Sequence, residues 1–332
     1  MSIKLLVLRV TQRCNLNCDY CYASEGPKVH MTQGVAISAI ERFSRPGEVL
    51  KIQFTGGEPL LNMPLIEAIY IYGIETKRQL LLSVQTNGTL LSKEICQKLK
   101  QMRVSIGVSL DGIGKANRLR TYPDGKSSFE DVLEGLQNLR TVGIKCNLTT
   151  VVTCDNVHSL DQILQLSAYL GHIHGVSLDF FRPLGRGKHK NLTANQLDLE
   201  AGIDKLINQY DELRRLHKRV AIKAMEKMER VISSDIKRAV YCYAQTDQSL
   251  CIDPEGNLYP CSSLSDSAHL IGNINSGLSM HQRDAHLMQL SEICSPCKIL
   301  QYCMGGCPAS DDKTANCILN RKLHQYLTNQ RR

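Results

Sequence analysis

Cysteine placement is the feature of this 332-residue sequence that most restricts what the chain can fold into. Of its fourteen cysteines, six lie between Cys14 and Cys154, and eight lie between Cys242 and Cys317. No apolar run reaches the roughly 20 residues that cross a bilayer, and the start MSIKLLVLRV lacks a signal-peptide core. We therefore expect a cytoplasmic protein without a membrane segment. Because cytosolic thiols stay reduced, the pattern indicates two metal-binding regions rather than a disulfide framework.

The first half of the chain alternates apolar, strand-like runs with amphipathic, helical ones, which predicts β-α units around a parallel sheet. The predicted strands lie near residues 3–10, 50–55, 80–85, 104–110, 145–152 and 176–181. The predicted helices lie at residues 32–44, 63–77, 92–102, 128–142 and 159–170. Ser92 is expected to cap the third helix and Gly143 to end the fourth. These units predict an α/β fold, a partial (β/α)6 barrel of the TIM type.

The pattern changes after the sixth predicted strand, and the chain length also favours more than one domain. The segment LGRGKHKNLTAN is basic, contains glycine and has no periodicity, so we expect a loop that leaves the barrel near residue 190. Helical periodicity then returns, before short turns such as DPEGN separate the last cysteines. We expect a barrel at 1–190, a helical bridge at 191–240, a small cysteine-rich domain stabilised by metal at 241–318, and a tail at 319–332.

Three cysteines, Cys14, Cys18 and Cys21, follow the first predicted strand as C-x3-C-x2-C in the sequence TQRCNLNCDYCYA. Three thiolates this close together can hold one four-iron, four-sulfur (4Fe-4S) cluster and leave its fourth iron open to a substrate or cofactor. A structural zinc site takes four ligands, and no nearby histidine or fourth cysteine completes one here. The spacing therefore favours an open iron-sulfur cluster over the two alternatives, zinc and unligated thiols.

This motif, with Tyr20 directly before the third cysteine, resembles the signature of radical SAM enzymes. The resemblance implies that the amino and carboxylate groups of S-adenosylmethionine chelate the open iron. Reduction of the cluster then cleaves this cofactor to methionine and a 5'-deoxyadenosyl radical, which abstracts hydrogen from a substrate. It also implies that Tyr20 lies beside the cluster and the adenine.

Gly56, Gly57, Glu58 and Pro59 follow the second predicted strand in QFTGGEPLL. They resemble the family motif whose backbone meets the methionine amino group, and the carboxyl ends of barrel strands are where an active site lies. We expect glycine there because a side chain would prevent close approach to a ligand. An ordinary turn is the alternative, although it explains GGEP downstream of the three cysteines poorly.

The segments SVQTNGTLL and VSLDGIGKANRLRTY follow the third and fourth predicted strands and resemble further stretches of the family. By that resemblance Ser109 meets the ribose and Arg120 meets the methionine carboxylate, with Arg118 as the alternative to Arg120. Gln85 and Asn87 either line the same pocket or only shape the turn.

Seven cysteines near the carboxyl terminus form a second pattern, which has too many ligands for a zinc ribbon. Their spacing resembles that of the SPASM domain, which implies two auxiliary 4Fe-4S clusters. By that resemblance one cluster is held by an outer set: Cys294, Cys297, Cys303 and Cys317. The other cluster is held by an inner set: Cys242, Cys261 and Cys307.

The inner set is one ligand short, and Cys251 is the nearest candidate for the fourth ligand. It lies in SLCIDPEGNLYPC, a predicted hairpin that turns at residues 254–256, so it either reaches the cluster or packs as a small apolar residue. In the second case the inner cluster has an open iron that could bind substrate. The remaining cysteines, Cys96, Cys146 and Cys154, lack ligand spacing and are expected to be structural.

The resemblance implies S-adenosylmethionine and three 4Fe-4S clusters, one catalytic and two auxiliary, as cofactors. Enzymes with this layout mostly act on peptides, so we expect a radical SAM peptide maturase that oxidises, crosslinks or rearranges a ribosomally made peptide or small protein. The alternatives are a sulfatase-maturing type of enzyme and an enzyme acting on a small molecule such as a haem precursor. A ferredoxin or flavodoxin is the expected electron donor. Because the sequence begins at its first strand, a separate protein is expected to recognise any leader peptide.

The formal charge of +8 raises the alternative of zinc-dependent nucleic-acid binding. The chain has no Trp and five Phe, and it lacks the aromatic and basic interleaving of a base-stacking surface. A solvated basic surface or an acidic peptide partner explains the charge better, so we expect no nucleic-acid partner. A non-enzymatic electron carrier would need no GGEP pocket. Asp179 faces the active end of the barrel, yet the sequence singles out no residue as catalytic.

Overall fold

Parallel strands form the centre of the protein, whose computed structural model describes residues 3–23, 28–45, 47–234, 240–246, 248–279, 292–310 and 312–330. The central strands are β1 (Leu5–Thr11), β2 (Leu50–Gly56), β3 (Leu80–Thr86), β4 (Ser105–Ser109), β5 (Cys146–Val152) and β6 (Ile173–Phe180). Each strand pairs in parallel with the next. Alternate residues, such as Leu6 and Leu8, are fully buried. The predicted partial (β/α)6 barrel is therefore confirmed.

Helices connect these strands at the predicted places. They are α1 (Gln33–Phe43), α2 (Met63–Glu75), α3 (Lys93–Gln101), α4 (Phe129–Val142) and α5 (Leu160–Leu170). The Ser92 hydroxyl accepts a hydrogen bond from Ile95 N–H, and Gly143 ends α4 with a φ of 77°. A left-handed residue at this position is the usual glycine stop, so the predicted cap and stop are both confirmed.

Two further helices and a short strand follow the barrel. Helix α6 (Gln196–Arg215) packs on α5, and α7 (Lys223–Ser234) packs on β6. Between them β7 (Ala221–Ile222) extends the sheet beside Gly175 and Val176. The sequence does not predict this strand because two residues are too few to show a period-2 alternation.

The cysteine-rich segment joins the opposite edge of the same sheet. Strand β8 (Ser249–Ile252) pairs in parallel with β1 and in antiparallel fashion with β9 (Asn257–Tyr259). Gly256 turns this predicted hairpin with a φ of 80°. The short strands β10 (Gly272–Asn273) and β11 (Gly277–Leu278) follow. This attachment places Cys251 opposite Val7 of β1, the strand whose carboxyl end leads into the first group of cysteines.

Residues 319–329, predicted as part of a tail, are helical. After a single turn, α8 (Leu300–Cys303), helix α9 (Thr314–Asn329) packs on α6 and α7. Its buried leucines recur every four residues, which gives the helix an apolar stripe: Leu319, Leu323 and Leu327. The division of the chain into four parts stays a prediction. None of the helices within the described ranges has the length and apolarity needed to cross a membrane.

Candidate active site

A cavity of about 180 Å³ opens at the carboxyl ends of the barrel strands. It lies between the cysteine loop, residues 12–22, and the ends of β2 to β6. Because Cys14, Cys18 and Cys21 all line it, we call it the thiol cavity. The other predicted or considered site residues that line it are Tyr20, Gly56, Gly57, Gln85, Asn87, Ser109, Arg120 and Asp179.

Hydrogen bonds from two sides fix the path of the cysteine loop. Asn17 N–H donates to Thr121 O, after β4, at 2.6 Å. From the other side the Arg186 guanidinium donates to Cys18 O at 2.9 Å. The backbone path of the loop at Asn17 and Cys18 is therefore set by contacts with distant parts of the chain.

Burial makes the Cys14 and Cys18 thiols poor acids. It raises the pKa of Cys18 to about 11, although the charge of Arg120 opposes the shift. Burial also raises the pKa of Cys14, and a smaller increase at both residues comes from Cys21 across the cavity. Metal ligation requires thiolates, so assembly of a cluster must displace these protons.

The arrangement suits an iron-sulfur cluster better than a single ion. Among the residues that the structure describes, no three His, Cys, Asp or Glu side chains lie close enough to bind one metal ion together. A 4Fe-4S cluster takes one protein thiolate per iron, so its ligands surround a space rather than a point. Three cysteines around one cavity meet that requirement and leave one iron without a protein ligand.

Gly56 is required by the backbone at the end of β1, and Gly57 is required by the backbone of the cysteine loop. A Cβ atom on Gly56 would lie 2.0 Å from Thr11 O, and one on Gly57 would lie 2.1 Å from Arg13 O. The two segments are also joined by hydrogen bonds, since Gly57 N–H donates to Thr11 O at 2.8 Å. The expected reason for these glycines, close approach to a ligand, is thus incomplete, because the nearest obstacle to a side chain is protein backbone.

Glu58 and Pro59 lie behind the cavity wall and do not line it. The buried Glu58 carboxylate accepts hydrogen bonds from Thr86 Oγ1 at 2.6 Å, Asn87 N–H at 2.7 Å and Leu60 N–H at 3.1 Å. Burial raises the pKa of Glu58, and these donors oppose the rise. The Glu58 oxygen atoms already bind the end of β3. The predicted role of both residues beside a cofactor, which concerns the backbone of the motif, stays a prediction.

Arg120 presents a buried guanidinium to the cavity. Its Nη1 donates to Tyr20 Oη at 2.7 Å, and Tyr20 Oη donates to the Asp111 carboxylate. Burial alone would lower the pKa of Arg120, but Tyr20, Cys18 and Asp111 raise it overall, so the group stays protonated. Arg120 Nε has no hydrogen-bond partner among the described residues. A charged donor left without a partner in a cavity suits an anionic ligand group.

The structure distinguishes the roles of the other residues considered after β3 and β4. Arg118 is exposed and pairs with Asp155 at 2.7 Å, so of the two arginines only Arg120 reaches the cavity. Ser109 Oγ accepts a hydrogen bond from Gln85 Nε2 at 3.0 Å in the cavity wall. Asn87 both lines the cavity and shapes the turn after β3.

Two residues of the site, Asp111 and Arg182, are not predicted from the sequence. Asp111 orients Tyr20, and it lies in the SLDG segment that carried the resemblance, so the motif offers a signal for it. Arg182 lines the cavity, binds both carboxylate oxygens of Asp179 at 2.8 Å and reaches Ser263 Oγ at 3.3 Å. No local signal predicts this last contact, because Ser263 lies 81 residues away in the cysteine-rich segment.

Cysteines near the carboxyl terminus influence one another electrostatically within each of the two predicted sets. In the inner set burial raises the pKa values of Cys242 and Cys307, and Cys261 adds to both increases. In the outer set burial raises the pKa of Cys317, and the other three thiols add to it. Such electrostatic effects require proximity, so the structure brings together the residues of each set. The clusters themselves stay a prediction.

Cys251 lies on β8, opposite Tyr259 in the hairpin, and is fully buried. Burial raises its pKa to about 12, and Cys261 of the inner set contributes to the increase. The thiol is therefore within electrostatic range of that set, while Arg9 opposes the shift from the neighbouring strand. Its role as the fourth ligand stays a prediction.

A larger cavity of about 510 Å³, which we call the polar cleft, adjoins the thiol cavity, and Tyr22 lines both. Its walls come from the end of β1, the loop after β6 and the cysteine-rich segment. Gln12 in this wall is 5% exposed, and its Oε1 has no hydrogen-bond partner among the described residues. The charged residues that line the cleft are Arg9, Lys188, Asp253, Glu255 and Asp266.

Comparison with known families and proteins agrees with this site. The family model of the radical SAM superfamily matches residues 8–167. The chain is 33% identical over 276 residues to the uncharacterized protein MJ0907 of Methanocaldococcus jannaschii, which covers 82% of this chain and 90% of the relative. It is 30% identical to Fe-coproporphyrin III synthase of Methanosarcina barkeri, over 65% of this chain and 53% of the relative. It is 27% identical to mycofactocin maturase MftC of Mycolicibacterium smegmatis, over 92% of this chain and 78% of the relative.

Solved structures share the fold along almost the entire chain. Native anSMEcpe with bound AdoMet superposes with a TM-score of 0.82 at 20% identity, covering 98% of this chain and 99% of that one. Streptococcus suis SuiB bound to its precursor peptide SuiA superposes with a TM-score of 0.66 at 17% identity, covering 95% and 76%. At these identities the likeness establishes the fold alone.

Proposed function

This chain belongs to the radical SAM superfamily and is an enzyme of that type, and from this premise we propose that it is a peptide maturase. In the proposed reaction the enzyme cleaves S-adenosylmethionine and removes hydrogen from a ribosomally made peptide or protein. The product is an oxidised, crosslinked or rearranged peptide. A ferredoxin or flavodoxin is the proposed electron donor.

The observation that carries the proposal is that three thiols and one buried arginine surround a single cavity. Three thiolates leave one iron of a 4Fe-4S cluster open. Arg120 Nε, which has no hydrogen-bond partner in the part of the chain that the structure describes, offers a donor to a carboxylate beside that iron. S-adenosylmethionine carries the amino and carboxylate groups that such a pair of sites would bind. The aromatic ring of Tyr20 lines the same cavity and supports a place for the adenine.

In this proposal different residues of the chain hold the cluster and orient S-adenosylmethionine. When bound, the cluster and S-adenosylmethionine supply the radical chemistry. Cys14, Cys18 and Cys21 hold the cluster. Arg120 binds the methionine carboxylate, and Asp111 holds the Arg120 side chain in place through the hydroxyl of Tyr20.

The polar cleft supports a peptide as the substrate. Gln12 Oε1 is a buried acceptor that has no hydrogen-bond partner among the described residues. The buried Arg9 guanidinium, which donates to Ser265 at 3.0 Å, is a donor three residues earlier in the chain. A peptide bond offers both a donor and an acceptor, so it could bind both groups. Two cations and three carboxylates line the cleft, which leaves a formal charge of −1. This balance suits a mostly neutral chain better than a polyanion.

The length of the match with mycofactocin maturase MftC also favours a peptide as the substrate. Its alignment extends over 92% of this chain and therefore continues beyond residue 167, where the family match ends, into the cysteine-rich segment. We propose that the inner and outer sets hold two auxiliary 4Fe-4S clusters, which would stabilise the small segment, since metal-binding energy becomes folding energy. A separate protein for recognition of a leader peptide remains part of this proposal.

A haem precursor is the second candidate substrate. It is favoured by the 30% identity with Fe-coproporphyrin III synthase, although the chain spans only about half the length of that relative. Under this alternative the enzyme would use the same thiol cavity to act on the side chains of a porphyrin. The porphyrin carboxylates would then have to avoid the acidic wall of the polar cleft.

One experiment separates the two substrates. The enzyme is reconstituted anaerobically with iron and sulfide, reduced with dithionite and given S-adenosylmethionine, and 5'-deoxyadenosine is followed by chromatography. Peptides encoded beside its gene are added in one series and Fe-coproporphyrin III in the other. Stimulation by a peptide, with a change in the peptide mass, supports the maturase; stimulation by the porphyrin alone would replace it with the haem alternative.

Arg120→Met is expected to weaken binding of S-adenosylmethionine by about 10- to 100-fold, because a buried charged hydrogen bond contributes about 1.5–3 kcal/mol. Arg118→Met removes the same group from the exposed pair with Asp155 and is expected to leave the Kd unchanged. Equilibrium dialysis on reconstituted enzyme, with iron content checked for each variant, measures both effects. Equal losses in the two variants would contradict the assignment to Arg120.

Gln12→Leu is expected to raise the KM for a stimulating peptide by about tenfold, since it removes a hydrogen bond worth about 1 kcal/mol and leaves a peptide N–H unpaired. The Kd for S-adenosylmethionine should not change, because Gln12 does not line the thiol cavity. Gln79→Leu, an exposed residue before β3 at the opposite end of the barrel, is the matched control. Steady-state rates of modified peptide measure the effect, and an unchanged KM in Gln12→Leu would remove the polar cleft from the proposal.

A further inference from the structure

Asn87 is a buried residue to which the proposed reaction assigns no task. It follows β3, is 6% exposed and lines the thiol cavity. Its Nδ2 lies 2.9 Å from Asn15 Oδ1 and 3.9 Å from Cys14 Sγ. The amide group is therefore directed at the first cysteine of the loop.

Neighbouring contacts decide which end of this amide faces the sulfur. Asn87 Oδ1 accepts hydrogen bonds from Thr89 N–H at 3.0 Å and from Thr89 Oγ1 at 2.8 Å. A backbone N–H can only donate, so the oxygen must face Thr89 and the NH2 group must face Cys14. The backbone N–H of Asn87 also donates to Glu58 at 2.7 Å, which holds the residue at this position.

Cys14 Sγ thus accepts from two N–H groups, Leu16 N–H at 3.4 Å and the Asn87 amide at 3.9 Å. A donor withdraws negative charge from a ligating thiolate. Reduction adds one electron to a cluster, so the donor stabilises the reduced form more than the oxidised form, and hydrogen bonds to the sulfurs are among the factors that set cluster potentials. Residues that hydrogen-bond to a metal ligand also fix its orientation.

We propose that Asn87 is a positioning residue that donates to Cys14 and raises the reduction potential of the catalytic cluster. This inference rests on the proposed function, because it requires a cluster at the cysteine loop. In this proposal the turn after β3 has a second role. It connects Glu58, which lies behind the cavity wall, with Cys14, which lines the cavity.

The test is a redox titration of Asn87→Asp, followed by electron paramagnetic resonance. Aspartate keeps an oxygen for Thr89 but replaces the donor that faces Cys14 with an acceptor. The catalytic cluster is identified as the one whose signal changes when S-adenosylmethionine is added. We expect about a tenfold lower ratio of reduced to oxidised cluster at a fixed applied potential, or about 59 mV for one electron.

Gln85→Glu is the matched control, because it places the same carboxylate in the same cavity wall but on a side chain that donates to Ser109 rather than to a cysteine. Its shift should be clearly smaller. Asn87→Ala removes the donor without adding charge and should lower the potential in the same direction, which keeps the test valid if the aspartate variant loses its cluster. An equal shift in Gln85→Glu, or an unchanged potential in Asn87→Ala with full iron content, would overturn the inference. Absence of any cluster that responds to S-adenosylmethionine in the unmodified enzyme would instead overturn the proposed function.

Discussion

Cys14→Ala is expected to reduce formation of 5'-deoxyadenosine from S-adenosylmethionine to background. Cys14 is one of three thiols around the thiol cavity, and a cluster held there already has one iron without a protein ligand. Without Cys14, a second iron would lack a protein ligand, which should prevent stable assembly of the cluster. If three four-iron clusters are present, iron should fall from about 12 to about 8 per chain, because the auxiliary ligands are untouched. Anaerobic reconstitution, iron and sulfide determination and chromatography of deoxyadenosine measure both quantities.

Cys154→Ala provides the control for loss of a thiol as such. Cys154 follows β5, donates to Asn191 O at 3.7 Å and does not line the thiol cavity. We expect its iron content and deoxyadenosine formation to match those of the unmodified enzyme. Deoxyadenosine formation by Cys14→Ala at the normal rate would contradict the cluster assignment. Zinc without iron in the reconstituted, unmodified protein would leave a metal-stabilised binding protein instead.

The parts of the site that lie within one short segment could be predicted from the sequence. The spacing of Cys14, Cys18 and Cys21 within a single loop identifies the chemistry before any fold is known. The alternation of apolar runs likewise predicts the barrel strands, because each strand shows its own period. Strand β7 could not be predicted, because its two residues are too few to show a period.

Contacts between distant segments could not be predicted in the same way. Arg118 and Arg120 have similar local surroundings, and only the fold shows that one reaches Tyr20 while the other pairs with Asp155. The two glycines of GGEP were found from their motif, but the backbone that excludes a side chain belongs to the end of β1 and to the cysteine loop. A motif therefore reveals which residues matter, whereas the reason depends on what the fold places opposite them.

Gly57→Ala is expected to remove the catalytic cluster by displacing the loop that holds it. The new Cβ would lie 2.1 Å from Arg13 O and 3.0 Å from Cys14 N, both backbone atoms that cannot move without moving the first cysteine. We expect a loss of about 2–3 kcal/mol in the free energy of unfolding, as for other overpacked sites. Iron should fall by about four per chain and deoxyadenosine formation should fall to background. Denaturant unfolding and iron determination on the same preparation measure the two effects.

Gly34→Ala is the matched control, because this glycine lies in α1 and the nearest atom to an added Cβ, Thr32 Oγ1, is 3.9 Å away. Alanine also has the higher helix propensity, so we expect this variant to gain up to about 1 kcal/mol and to keep its full iron content. The contrast separates the effect of an added methyl group from the effect of its position. If Gly57→Ala kept its iron and its activity, the contact between GGEP and the cysteine loop could not be what holds the three thiols in place.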